Sequence, residues 1–365
     1  MKKIWHMKIL ITTPIDKSIE ANPFVKVISE GLKSCGNSVT CSRDIFWETP
    51  TAFDLILFQW PQDILTIEER VQQDPTTISF HLQRIEKQLQ FIKKAHIPIF
   101  ITVHNLHPHN NSKFLNAVYD LVYSYVDCFH HMGNYSRNLM KEEYPKAYHF
   151  VVQHPTYYDG KNLGLSQNDC RKKYRLPKNK PIIIAFGAFR NNDERRLYLE
   201  LNRKYKSKCC FWAPKFNRVL GINRSLIAKL LSYIYYRLNG IRMNRGSISD
   251  KEVMEMIAAS DIVFIQRKET LNSGNLPLGF SFGKIVVGPD VGNIGSILKE
   301  TRNPVFNPQD KKTLYQALDS ALKMLKNNNN QGQKNYDYAQ TNMSTRIVAK
   351  RLNQEISMFL NLKSI

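Results

Sequence analysis

Short apolar runs alternate with amphipathic stretches along the whole chain. Strands of a parallel sheet are buried on both faces and read as continuous apolar runs, whereas helices repeat apolar positions every three or four residues. The runs predict strands at Lys8–Thr13, Asp54–Gln59, Ile97–Val103, Asp127–His131, His149–Gln153, Pro181–Phe186, Lys208–Trp212, Asp261–Gln266 and Lys284–Gly288. Strands that alternate with helices in this way indicate a parallel α/β architecture.

Helices are predicted between these runs from their apolar spacing and their start signals. Asn22-Pro23 is typical of an N-cap followed by proline in the first turn, and Ser249 with Glu252 three residues later forms a capping-box pattern. The predicted helices cover Thr77–Ala95, Leu115–Tyr125, Ser249–Ser260, Lys311–Lys326 and a last amphipathic segment from about Ser344.

The strand–helix pattern restarts after a polar stretch over residues 161–179. A chain of 365 residues is also longer than one hydrophobic core usually serves. We therefore expect two Rossmann-like domains facing each other across a cleft. The first covers residues 1–165, the second covers 166–343, and a helix over 344–365 packs back on the first domain.

Several classes of protein are disfavoured by what the sequence lacks. No G-x-G-x-x-G follows the first strand and no Walker A motif is present, which argues against dinucleotide-dependent dehydrogenases and P-loop NTPases. The six cysteines include no Cys-x-x-Cys pair and are typical of reduced thiols in a cytosolic protein. No apolar run approaches the length of a membrane span, so any membrane contact is expected to be peripheral.

Candidate chemistry first appears in the loop His104–His109, directly after a predicted strand. Ligands of parallel sheets bind at the carboxyl ends of strands, so His104 is the candidate catalytic residue, as a base or as a partner of a sugar hydroxyl. The alternative is a polar loop in which the histidines, including His107, cap backbone groups. A metal site is weakly supported, because no acidic or cysteine ligand lies nearby.

A second candidate site comprises Asn272, Ser273, Gly274 and Asn275, ahead of the strand KIVVG. Gly274 is expected to make a turn into a helix whose N-terminal N–H groups suit a diphosphate, although an ordinary helix cap explains the same pattern. Arg190, which follows Gly187 after another strand, is either a phosphate ligand or a solvated side chain.

At these positions the sequence resembles the GT-B-type glycosyltransferases, most closely the family 4 group that includes bacterial surface-polysaccharide enzymes. Phe100–His104 is similar to a Thr-Val-His element of the N-terminal domain, and Phe186-Gly187 is similar to the opening strand of the C-terminal domain. The most specific match is Ser281–Gly292, which resembles the stretch A-C-G-x-P-V-V-A-x-D-V-G.

The resemblance implies metal-independent transfer of a hexose from a nucleotide-sugar, which serves as donor substrate with no separate cofactor. The family's Glu-x₇-Glu pair falls on Thr270 and Leu278, and its Arg and Lys fall on Ala188 and Asp193. Donor binding is therefore assigned to substitutes near these positions. These substitutes are Glu269 for the acidic pair and Arg190 or Lys215 for the cations, beside Asn272–Asn275.

The net charge of +21 indicates a polyanionic partner. Fourteen Lys and Arg against three acidic residues lie between Arg190 and Arg245, and Phe216–Arg245 interleaves apolar residues at helical spacing with cations that include Arg218, Arg224, Lys229 and Arg237. This segment fits an anionic membrane interface or a helix packed on its own sheet with a solvated basic face. Nucleic acid is a less favoured partner, since no recognition module is present.

Together these features predict a cytoplasmic glycosyltransferase, peripheral on the inner face of a bacterial cell membrane, that extends a lipid-linked or growing surface glycan. A catalytically silent GT-B-like subunit that binds a glycan or a partner transferase is the alternative. The sequence leaves open the sugar, the linkage and whether the anomeric configuration is retained.

Overall fold

A computed structural model describes residues 6–15, 23–108, 112–158, 163–216, 226–244 and 248–363. The chain divides into two compact units. Unit 1 comprises Met1–Tyr157 and Ser344–Ile365, and unit 2 comprises Tyr158–Met343. The C-terminal segment therefore belongs to the same unit as the N-terminus. His109, Asn22, Arg218, Arg224 and Arg245, named above, lie outside the described residues.

Unit 1 is built on a six-stranded, all-parallel sheet. Its strands are β1 (Lys8–Ile11), β2 (Ser38–Cys41), β3 (Leu55–Phe58), β4 (Ile99–Thr102), β5 (Cys128–His131) and β6 (Tyr148–Val151), in the order β2-β1-β3-β4-β5-β6. Its helices are α1 (Pro23–Ser34), α2 (Arg43–Glu48), α3 (Ile67–Arg70), α4 (Pro75–Lys94), α5 (Lys113–Tyr125), α6 (Asn134–Glu143) and α15 (Thr345–Lys363). Every residue of β3, β4 and β5 is buried, as expected for strands covered on both faces.

Local signals explain where the helices of unit 1 begin and how α15 packs. The Asp74 side chain accepts the N–H of Thr77, and Pro75 follows it, so α4 starts two residues before the predicted Thr77. Helix α15 packs on α1, where a Cβ added to Gly31 would lie 2.7 Å from the Ala349 Cβ. Glycine at position 31 thus allows the close approach of these two helices.

Unit 2 contains a second six-stranded, all-parallel sheet. Its strands are β7 (Ile182–Ile184), β8 (Cys210–Trp212), β9 (Ile241–Arg242), β10 (Ile262–Phe264), β11 (Ile285–Pro289) and β12 (Val305–Phe306), in the order β12-β11-β10-β7-β8-β9. Its helices are α7 (Gln167–Lys173), α8 (Asn192–Tyr205), α9 (Leu226–Leu238), α10 (Asp250–Ala259), α11 (Asn275–Ser281), α12 (Gly292–Glu300), α13 (Lys311–Lys326) and α14 (Gln331–Asn342). Both units are Rossmann-like, as predicted.

The basic segment Phe216–Arg245 is not one helix, and in this respect the sequence prediction is wrong. Helix α9 ends at Leu238, the chain turns at Gly240 with φ of +84°, and Ile241 enters the edge strand β9. The left-handed φ at position 240 favours glycine and stops the helix.

Each sheet reverses its strand order at one place, between β1 and β3 in unit 1 and between β7 and β10 in unit 2. Loops that leave the carboxyl ends of such a pair run in opposite directions and leave a crevice in which ligands of open α/β sheets bind. Ligand-binding residues are therefore expected directly after β1, β3, β7 and β10, and after the neighbouring strand β4.

Candidate functional site

His104 lies two residues beyond β4 and is held on several sides. Its Nε2 lies 3.0 Å from the Oε1 of Gln59, which follows β3 directly. Its ring stacks on Trp60 with centroids 4.2 Å apart and meets the edge of Phe24 at 4.5 Å. The loop position and these contacts fix the orientation of the imidazole at the carboxyl edge of the sheet.

The hydrogen bond to Gln59 also sets the tautomer of His104. Because the amide oxygen can only accept, Nε2 carries the hydrogen and donates it, and the lone pair of the neutral ring is on Nδ1. Gln59 therefore makes Nδ1 the basic atom of His104. With its lone pair on Nδ1, the ring can accept a proton there, or a hydrogen bond from a sugar hydroxyl.

Two further polar atoms at this edge are buried without a hydrogen-bond partner among the described residues. They are the Oγ1 of Thr12, which follows β1, and the Nε2 of Gln59. Unsatisfied buried polar atoms are rare and costly, and a bound polar group relieves the cost. The edge at which β1 and β3 diverge is thus suited to a ligand rich in hydroxyl groups.

Three loops of unit 2 converge at Gly187, which follows β7. The Nδ2 of Asn275 donates a 2.5 Å hydrogen bond to the Phe186 carbonyl. A Cβ built on Gly187 would lie 3.7 Å from that Nδ2 and 4.0 Å from the Nη2 of Arg267. Gly187 has φ of +106°, a backbone conformation that L side chains rarely adopt. Glycine at position 187 therefore allows the β7 loop to meet the loop after β10 and the start of α11.

Cations surround this convergence point. Arg267 donates to the Oε2 of Glu194 at 2.6 Å, and the backbone N–H of Arg190 donates to the same carboxylate oxygen at 2.7 Å. Burial, followed by the neighbouring Arg267, lowers the pKa of the Arg190 guanidinium below its ordinary value, which the Glu194 carboxylate partly offsets. The Nζ of Lys215 lies 5.4 Å from the centre of the Phe186 ring.

The positive charges of Arg190 and Arg267 repel each other, and the buried carboxylate of Glu194 is already hydrogen-bonded to Arg267. An anion bound between the loops would reduce the repulsion between the two guanidinium groups. Arg190, Lys215 and Asn275, three of the predicted donor-site residues, are therefore brought together at a place suited to negative charge.

The segment before α11 differs in detail from the sequence prediction. Gly274 has φ of −61° and ψ of −15°, an ordinary helical conformation, so the expected requirement for glycine in a turn is wrong. Asn272 accepts a hydrogen bond from the Nδ2 of Asn293 through its own side chain, and the Oγ of Ser273 accepts the N–H of Asn275. These contacts order the entry to α11.

Glu269 and His107 are more exposed to solvent than the other predicted site residues that the structure describes. The Glu269 side chain is exposed and makes no hydrogen bond or ion pair with any other residue that the structure describes. His107 is exposed as well. Leu278, one of the two positions of the family's glutamate pair, lies in the core of unit 2, and Thr270, the other position, donates to the Asn272 carbonyl. No carboxylate therefore occupies either position.

Sequence reasoning missed Gln59, Gln266 and Arg267. Gln266 follows β10, is fully buried, and has both amide atoms without a hydrogen-bond partner among the described residues. A signal for both glutamines was present, since each is a polar residue directly after a buried apolar run, in FQW and in IQR. Polar residues at the ends of buried strands are the positions where a parallel sheet presents its ligand groups.

Within the described ranges, no group of three His, Cys, Asp or Glu side chains is arranged to hold a metal ion. No helix in the same ranges is long and apolar enough to cross a bilayer.

Comparison with known proteins gives matches in structure only. No family model and no curated protein sequence matches the chain. The solved structure of HepE from Anabaena in complex with UDP has 11% identity and a TM-score of 0.70, over 96% of this chain and 100% of that one. A glycosyltransferase from Rickettsia africae has 16% identity and a TM-score of 0.63, covering 97% and 98% of the two chains.

Sucrose-phosphate synthase from Thermosynechococcus elongatus is similar as well, with 12% identity and a TM-score of 0.66 over 97% of this chain and 99% of that one. The fold is that of GT-B glycosyltransferases. HepE is also described in complex with UDP-glucose, at 11% identity and a TM-score of 0.68. At these identities the likeness establishes the two Rossmann-like units and leaves the chemistry to the residues of the site.

Proposed function

We propose that this protein is a glycosyltransferase that moves a hexose from a nucleotide-sugar to a lipid-linked or growing surface glycan. The observation that carries the proposal is the convergence of Arg190, Arg267 and Asn275 at Gly187, at the point where the strand order of unit 2 reverses. Solved structures of the same fold include complexes with UDP and UDP-glucose. Two phosphate groups are the anion that such a cluster of cations suits best.

In this proposal the donor diphosphate lies against Arg190 and Lys215, with Arg267 behind them. Backbone N–H groups of Asn272–Gly274 are assigned as further donors to the phosphates. Breaking the bond between the sugar and the phosphate places negative charge on the leaving diphosphate, and fixed cations stabilise that charge more in the transition state than in the ground state. This stabilisation requires no metal ion. The exposed Glu269 is assigned to hydroxyl groups of the donor.

His104 is assigned to the reacting sugar or to the acceptor hydroxyl. Its Nδ1, made basic by the Gln59 contact, accepts a proton or a hydrogen bond, and the Trp60 stack keeps the ring in place. Contributions of this kind are worth about 10²–10⁴-fold in rate.

The test starts from the purified full chain and a panel of nucleotide-sugars. A donor that binds only the folded state stabilises it by about 2.7 kcal/mol at a hundredfold excess over its Kd, which raises the melting temperature. Arg190→Gln should abolish this rise. Arg196→Gln is the matched control, since Arg196 is an exposed arginine on α8 that pairs with Asp193. A melting temperature that no nucleotide-sugar raises, or equal effects of the two variants, would refute the donor site.

The alternative is a catalytically silent subunit of the same fold. It is favoured by one observation, the absence of a carboxylate at Thr270 and Leu278. Release of nucleoside diphosphate from a bound donor separates the two, because a silent subunit binds without turnover. Location on the inner face of a cell membrane is part of the proposal. Nucleic acid, the less favoured partner, is tested by salt-dependent retention on RNA or DNA.

A further inference from the structure

Unit 2 contains a second concentration of positive charge, on the opposite edge of its sheet from the donor loops. A cleft of about 550 Å³ opens where β7, β8 and β9 begin, beside Cys209, Cys210 and Ile241. Its lining includes five cations, Arg175, Lys180, Lys206, Arg237 and Arg242. We refer to these five residues as the basic cleft. The described residues that line it include no carboxylate.

Within the part of the chain that the structure describes, no carboxylate neutralises the five cations of the basic cleft. None of them forms an ion pair with a carboxylate of the described residues. Arg242 donates to the backbone carbonyl of Tyr174, which positions the guanidinium and leaves its charge uncompensated. Neighbouring cations without counter-charges repel one another, so the cleft is poised to bind an anion.

Helix α9 adjoins the basic cleft and has an unusual outer face. Tyr233 and Tyr236 pack against the core of unit 2, with the Tyr236 ring 4.6 Å from Phe216. The outward residues are apolar and 45% to 82% exposed, namely Leu230, Leu231, Ile234, Tyr235 and Leu238. Their spacing places them on one side of the helix. We refer to these five residues as the apolar stripe.

Arg237 connects the two features, because it is part of α9 and also lines the basic cleft. The apolar stripe and a neighbouring pocket of uncompensated positive charge together match the surface of an anionic bilayer, where apolar side chains meet the acyl boundary and cations meet phosphates. A nucleic acid would satisfy the cations alone and would leave the stripe in water.

We propose that the basic cleft is a binding site for the phosphate headgroup of an anionic membrane lipid, and that the apolar stripe of α9 inserts beside it. This site lies at the amino ends of the strands and is separate from the donor loops at their carboxyl ends. Its occupation requires no catalysis, so lipid binding can fail while the proposed transfer reaction stands, and the reverse also holds.

The experiment measures co-flotation of the full chain with vesicles of phosphatidylcholine, with or without phosphatidylglycerol. The cleft variant combines Lys180→Gln, Lys206→Gln and Arg237→Gln. The matched control combines Lys312→Gln, Lys323→Gln and Lys326→Gln, three exposed lysines of α13 outside the cleft. Both variants lose three charges, so long-range attraction falls equally, and circular dichroism and melting temperature confirm that each is folded.

The cleft variant should bind phosphatidylglycerol vesicles about a hundredfold more weakly than the unmodified protein, because each of the three cations near the surface contributes about fivefold. The control should lose much less. Leu231→Ser with Leu238→Ser should also release the protein from vesicles, since these side chains belong to the stripe. Thermal stabilisation by the donor nucleotide should be unchanged in all three variants.

Equal losses in the two charge variants would overturn the cleft assignment, because they would show attraction by overall charge only. Equal binding to vesicles of phosphatidylcholine alone, whose headgroup carries no net charge, would overturn the requirement for an anionic lipid. Competition by soluble glycerol phosphate as strong as that by vesicles would show a site for small anions instead. Tight binding of single-stranded RNA by the cleft, without vesicle binding, would overturn the proposal in favour of a nucleic acid.

Discussion

Gly187→Ala is the substitution that best tests whether the converging loops of unit 2 form the donor site. Among the described residues the added Cβ meets no steric barrier, since its nearest neighbour there would be the Nδ2 of Asn275, 3.7 Å away. The cost lies in the backbone, because φ of +106° is unfavourable for any residue with a Cβ. Strain of this kind costs about 1–3 kcal/mol, and part of it is relieved if the loop moves away from Asn275.

The expected result has two parts, measured separately. Urea denaturation should show a loss of about 1–3 kcal/mol in the free energy of unfolding. Calorimetric titration with the donor nucleotide should show binding weakened by about tenfold to a hundredfold, since one or two hydrogen bonds to a charged phosphate are lost when the loop shifts.

Gly240→Ala is the matched control. Gly240 also has a positive φ, +84°, and among the described residues its Cβ would meet only the Oδ1 of Asn202 within 4 Å, at 3.9 Å. It lies at the amino end of β9, away from the donor loops. The control should lose similar stability and keep its affinity for the nucleotide. If Gly187→Ala is destabilised and still binds the nucleotide as tightly as the unmodified protein, the converging loops are not the donor site.

Four further predictions concern other residues. His104→Ala should fold normally and lose about 10²–10⁴-fold in transfer rate, and activity within a few fold of the original would remove His104 from the mechanism. Gln59→Glu should move the acid limb of the pH–activity profile to higher pH, because a carboxylate beside the ring of His104 favours imidazolium. Burial lowers the pKa of His130 to about 4, so between about pH 6.5 and 4 the unfolded chain binds a proton that the folded chain does not. As the pH decreases through this range, His130 should lower the free energy of unfolding by about 1.4 kcal/mol per pH unit. A His130→Gln variant whose free energy of unfolding, measured by urea titration, falls with the same slope would contradict this. Gly274→Val should weaken nucleotide binding by crowding alone, since its φ of −61° suits any residue, and unchanged calorimetric affinity in the folded variant would place the phosphates elsewhere.

The sequence determined the parts of this protein that depend on neighbours along the chain. Apolar runs such as Pro181–Phe186 predicted buried parallel strands, and the structure has a strand that overlaps each predicted run. The capping box of Ser249 and Glu252 is present as predicted, and Lys311–Lys326 is a helix with the predicted ends. Signals of this kind lie within a few residues of each other, so they can be read without the fold.

Elements with polar or short patterns escaped the prediction. Edge strand β9 has two residues, one of them Arg242, which gives no apolar run to detect. Helix α14 buries Asn335, which bonds to Asn303 and to the Lys284 carbonyl, so part of its inner face is polar and its hydrophobic periodicity is weak.

The contacts of the candidate site were decided by the tertiary structure alone. Gln59 and His104 are 45 residues apart, and Asn275 and Phe186 are 89 residues apart. The order of strands in each sheet brings these residues together, and a linear pattern contains no information on which strand ends become neighbours. Hydrogen bonds and charge pairs act over a few ångströms in space, so the chemistry of the site depends on that order, whereas the helices and strands themselves do not.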